Sequence, residues 1–160
     1  MRLQIERYLE DLDIGFEEDT WHMALLKSLD GLTAEQAAWA PPGRHSIWQI
    51  VHHVALWKEY TAERLAGSPP RPEGWEEKED WLAVDGVTEE AWRAAVQRLR
   101  AAHVRLRAEV AARSDEELDR PLPGGQRPLY ATIQAVPKHD SYHCGQIHLL
   151  RALQGIATEW

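Results

Sequence analysis

Residues Ser46 to Gly67 read SIWQIVHHVALWKEYTAERLAG, and this stretch decides the fold class. Ser46 and Gln49 have the spacing of a capping box, in which each side chain takes up the other's free backbone N–H. Gly67 and the following SPPRP end the helix at about Ala66. Around His53, the 100° turn per residue gathers Gln49, Ile50, Leu56, Trp57 and Tyr60 within about 60°. One buried stripe on one long helix is therefore expected.

The same signals recur on both sides. Leu3, Ile5, Leu9 and Leu12 predict a first helix, expected to resume through Trp21, Leu25 and Leu29. TAEQ (Thr33 to Gln36) is a second capping box. Thr88 caps a third long helix bearing Trp92, Val96, Leu99, Leu106 and Val110 on one stripe. SDEE (Ser114 to Glu117) starts one more turn. The last helix contains HDSYHCGQIHLL (His139 to Leu150), and Pro137 implies either a start near it or a kink after a turn begun at Thr132. Residues 67 to 87 form a connection long enough to suggest that it lies over something, with Trp75 and Trp81 as apolar cover. Strand signals are weak. The expectation is an all-α four-helix bundle with a long crossing loop, one domain over residues 1–160.

Composition narrows the functions. The chain is 44% hydrophobic and 28% charged, as in ordinary globular proteins. A formal net charge of -8 argues against nucleic acid or an anionic membrane surface as partner. No apolar run has the length of a membrane span, and MRLQIERYLE is too charged for a signal peptide. One cysteine, Cys144, allows no internal disulfide and fits a cytoplasmic protein.

The chemistry lies in the histidines. With His139 as zero, His143 falls about 40° round the helix, Gln146 within about 20° and Tyr142 about 60° to the other side. His148 points nearly the opposite way, as a solvated or interface residue. On the earlier helix His53 faces the core and His52 the rim. Two imidazoles at i and i+4, with a third from a facing helix, match a catalytic zinc site that leaves one position for water. Neutral imidazoles also suit Ni, Cu and Fe(II). The competing reading is ordinary core histidines held by hydrogen bonds. His103, between Leu99 and Leu106, is either a further ligand or a core-edge residue, with the second reading preferred. Tyr60, Tyr142 and Gln146 are candidates for orienting the histidines or a ligand. Asp140 is expected to be solvated or a hydrogen-bond partner, and Cys144 a small packing residue.

RHSIWQIVHHVALWKEYTAERLAG (Arg44 to Gly67) together with KHDSYHCGQIHLLR (Lys138 to Arg151) resembles the DinB/YfiT-like family. LDGLTAEQAAWAPPGRHSIW is similar to that family's first interhelical region, and the resemblance is weakest from Ser68 to Asp85. It implies a four-helix bundle, usually dimeric, with a divalent metal on three histidines that fall here on His53, His139 and His143. The metal expected is Zn or Ni, with Fe and Mn as alternatives. The implied activity is that of a metal-dependent hydrolase or thiol S-transferase acting on a small molecule. A non-catalytic metal-binding or stress-associated interaction protein is the alternative.

Overall fold

The structure, a computed structural model, describes residues 3–157. Six helices follow in order: α1 (Leu3–Asp13), α2 (Ala34–Ala38), α3 (Ile47–Leu65), α4 (Glu76–Glu79), α5 (Glu89–Ala111) and α6 (Leu129–Leu153). No strand occurs among the described residues, so the chain is all-helical as expected. Local chemistry sets most of the starts. Ser46 Oγ accepts from the Gln49 N–H at 3.1 Å, and Gln49 Oε1 accepts from the Ser46 N–H at 3.0 Å. Thr33 and Gln36 repeat the box before α2, and Thr88 Oγ1 accepts from the Ala91 N–H before α5.

Two expectations are corrected. The first helix does not resume through Trp21, Leu25 and Leu29. Only a 3-10 turn, Lys27–Leu29, forms there, and Trp21 is 95% exposed. Gly15 turns the chain at φ +84°, where its N–H donates to Glu18 O and its carbonyl accepts from the Leu25 N–H. Asp19 Oδ1 takes the Ala24 N–H. These bonds supply the loop's backbone partners without a helix, while Phe16, Leu25 and Leu29 still reach the core.

The last helix begins at Leu129, ahead of both sites expected from Pro137, and passes through that proline. Pro128 precedes it with φ already at -58°. Arg120 O and Leu118 O accept the N–H groups of Leu129 and Tyr130, so first-turn donors find partners outside the helix.

Helix α3 packs along α5 and against α6, while α1 packs on α5 and α6. Two apolar clusters result. One includes Trp48, Val51, Val54, Leu99 and Ile147; the other includes Ile5, Leu12, Leu65, Leu106 and Ile133. Between them, a polar residue interrupts each of three helices: Lys58 on α3, His103 on α5 and Asp140 on α6. His53, His139 and His143 lie along the same stretch of α3 and α6. Among the described residues, no helix is long and apolar enough to cross a membrane.

Candidate metal centre

Helix α3 contributes His53, and α6 contributes His139 and His143 one turn apart. The Nε2 atom of His139 is 3.0 Å from Nε2 of His53 and 3.0 Å from Nε2 of His143. Hydrogen bonds behind the rings set the tautomers. Asp80 Oδ1 and Oδ2 lie 2.7 Å and 2.9 Å from His53 Nδ1, and a carboxylate there requires a proton on Nδ1. Gln146 Oε1 accepts from His143 Nδ1 at 2.7 Å, while Gln146 Nε2 donates to the Tyr142 hydroxyl at 3.0 Å.

His53 and His143 therefore each turn an unprotonated Nε2 towards His139. One N–H on His139 can satisfy one of those lone pairs, not both. A cation shared by all three removes the conflict. Nitrogen separations of 3.0 Å suit imidazoles on one ion, whose bonds are about 2.0–2.1 Å long. His53, His139 and His143 are close enough to hold a metal ion, with one ligand atom from each within 4.8 Å of the others.

Electrostatics keep the lone pairs free. Burial, reinforced by the neighbouring histidines, lowers the pKa of His139 to about 3. Burial lowers His143 to about 4 against the pull of its Gln146 hydrogen bond. It also lowers His53, although Asp80 pulls that ring the other way. All three rings are neutral at physiological pH, as metal ligation requires.

Asp80, behind the cluster, is the residue that the sequence did not single out. Its carboxylate also accepts from Trp57 Nε1 at 3.1 Å and from the Trp81 N–H at 3.0 Å. Next to it, Trp81 stacks on His53 with ring centroids 4.1 Å apart and on His45 at 3.8 Å. Among the described residues Trp81 is the one non-glycine residue with positive φ, at 52°. Such a conformation costs on the order of 1–3 kcal/mol and persists where the surroundings over-determine it. Here Gln49 Nε2 donates to Trp81 O and Leu82 O, and His52 Nε2 bonds to Glu79 O. The long loop thus lies on the histidines, held from behind by α3. Asp80→Asn is expected to keep the fold but weaken zinc affinity about 10- to 100-fold, as loss of a ligand's supporting partner does. Competition against a chromophoric chelator measures it.

A cavity of about 750 Å³ opens over the three rings. Trp81, Tyr142 and Gln146 form part of its wall, and among the described residues no acidic side chain lines it. The chain matches the DinB superfamily over residues 18–147. It belongs to the DinB superfamily. The matched span contains His53, Asp80, His139 and His143. No curated protein matches the chain.

The remaining candidates of this DinB-superfamily protein divide into those near the rings and those turned away. Tyr142 is 63% exposed and meets His143 edge-on, with centroids 5.0 Å apart. Tyr60 packs on Trp57 and Trp75, and lines a second cavity of about 300 Å³ that also touches His139. His103 stacks on Phe16, with Nδ1 3.3 Å from Lys58 Nζ and Nε2 3.4 Å from Asp13 Oδ1, outside the cluster. His52 turns to Arg98 and Glu79. His148 is half-buried, and its Nε2 is shut away from solvent. Cys144 donates its thiol to Met23 O, and burial raises its pKa to about 11, so it is no nucleophile. Asp140 is not solvated: it is completely buried and accepts from Lys58 Nζ at 2.6 Å.

Proposed function

We propose that this protein holds one divalent metal ion on His53, His139 and His143 and is a metal-dependent enzyme acting on a small molecule, with thiol transfer favoured over hydrolysis. The observation behind this reading is three converging Nε2 atoms at the wall of an open cavity. Structural zinc sites close around four protein ligands, whereas catalytic sites keep three and leave a position open. Three histidines form the candidate ligand group here. A neutral three-imidazole donor set suits Zn or Ni first, with Fe and Mn as alternatives. When bound, such an ion supplies Lewis acidity and lowers the pKa of water or thiol at the open position.

The chain's own residues decide between the two reactions. Hydrolysis is served by a carboxylate base beside the reacting water. Asp80 faces His53 and Trp57, Asp140 faces Lys58, and neither lines the cavity. A thiol, with an ordinary pKa near 8.5, gives up its proton far more readily than water does. Buried Cys144 cannot supply that thiol, so it belongs to a substrate. Trp81 shields the face of His53 and leaves approach through the cavity.

The test is conjugation of 1-chloro-2,4-dinitrobenzene to a panel of low-molecular-weight thiols, beside hydrolysis of p-nitrophenyl esters. Thiol conjugation is expected to vanish with chelator and return with Zn or Ni, while ester hydrolysis stays at background. Metal-loaded protein inactive in both assays but melting when stripped would mean that the ion is a structural staple, against this reading.

A further inference from the structure

The cavity over the three histidines has a charge pattern opposite to that of the chain. The protein has 26 acidic and 18 basic side chains, yet among the described residues no acidic side chain lines this cavity and the one arginine that does is Arg44. A tight turn sets the backbone at Arg44 beside the cavity. The Arg44 N–H donates to Pro41 O at 3.1 Å across a turn whose central residues are Pro42 and Gly43, with Gly43 at φ +70°. Proline followed by a left-handed glycine is the arrangement of a type II turn. On the other side, His45 stacks on Trp81 and Ser46 caps α3.

The guanidinium itself is almost unengaged. Its contact with Gly43 O is long, at 3.5 Å, and no carboxylate among the described residues lies within ion-pair distance. Arg71, Arg98 and Arg107, by contrast, each meet an acidic side chain. Another part of the cavity is apolar, formed by Ile50, Leu149, Leu150 and Leu153. Leu149 and Leu153 are 61% and 58% exposed.

We infer that the cavity binds a small organic anion, with its carboxylate or equivalent oxyanion on Arg44 and its apolar body on Leu149 and Leu153. This rests on reading the cavity as the substrate site. A guanidinium fork matches a carboxylate with two parallel hydrogen bonds, and the donors of Arg44 are free to make them. The apolar wall supplies affinity that the ion pair alone, facing water, does not.

The test compares octanoate with octan-1-ol by tryptophan fluorescence on full-length protein, metal-free and zinc-loaded. In metal-free wild type, octanoate is expected to bind about tenfold more tightly than the alcohol, the scale of one charge-assisted hydrogen-bonded pair. Arg44→Gln should abolish that preference and Arg44→Lys keep part of it; Arg44 is exposed, so the fold is undisturbed. Leu153→Gln should weaken both probes alike. A preference unchanged in Arg44→Gln, or no saturable octanoate binding, overturns the proposal. Because the metal-free arm needs no ion, its failure is separate from failure of the histidines to load zinc.

Discussion

Lys58→Met is expected to lower the free energy of unfolding by about 3–5 kcal/mol, measured by urea denaturation at pH 7. Lys58 and Asp140 are both completely buried or nearly so and meet at 2.6 Å. Burial pushes each towards its neutral form, lowering the lysine pKa and raising that of the aspartate, while each partner's charge pulls the other back. Asp140 Oδ1 already has no hydrogen-bond partner, so removing Lys58 leaves the whole carboxylate stranded. The remaining neighbours cannot replace the cation, since Phe16 and the neutral His103 ring also pack on Lys58.

The sign of the pH effect follows. Without Lys58 the Asp140 pKa rises further above its unfolded value. Stability is then retained where the carboxyl is protonated in both states and lost as pH rises through the folded pKa. The variant's deficit should shrink on acidification. Lys58→Met with Asp140→Leu should recover most of the loss, because a buried pair replaced as a whole leaves no orphaned charge. A single variant as stable as wild type would show that the pair does not hold the α3–α6 crossing. The pair matters for the site because Asp140 follows His139 directly, and Lys58 lies five residues after His53. The two contacts together fix the register of α3 on α6.

The second large effect is on metal affinity. His139→Ala is expected to weaken zinc binding by more than about 100-fold, beyond what loss of a supporting partner costs. His139 Nε2 is the atom within 3.0 Å of both other ring nitrogens, so its removal takes away the middle of the cluster. His52→Ala, one residue from His53 but turned to Arg98 and Glu79, should cost far less, since it removes only one of the contacts that hold the loop and no ring nitrogen of the cluster. Equal losses in the two variants would mean that histidine content, rather than this geometry, binds the ion.

Much of this was legible in the sequence because the chemistry is local. Capping boxes act between residues three apart, and Ser46–Gln49 and Thr33–Gln36 formed as read. Helix phase is equally local: a 100° rotation separates His53 from His52 and keeps His139 beside His143. The failures involve distance along the chain or partners outside the helix. Trp21, Leu25 and Leu29 have helical spacing, but Gly15 and Asp19 give the segment its hydrogen bonds as a loop. Pro137 looked like a boundary, yet carbonyls of Arg120 and Leu118 start α6 well before it. Asp80 lies 27 residues from His53 in the acidic run WEEKEDW, where nothing local distinguishes one carboxylate from its neighbours. Only the length of the loop hinted at a role. Lys58 and Asp140 are 82 residues apart, and a buried lysine runs against every composition rule until its partner is seen.

The most direct measurement is metal content by mass spectrometry on untagged protein purified without added metal, beside a His53→Ala, His139→Ala, His143→Ala triple variant. About one divalent ion per chain in the wild type and none in the variant is the predicted result. A wild type that is empty as purified and takes up neither Zn nor Ni when they are added would contradict the account.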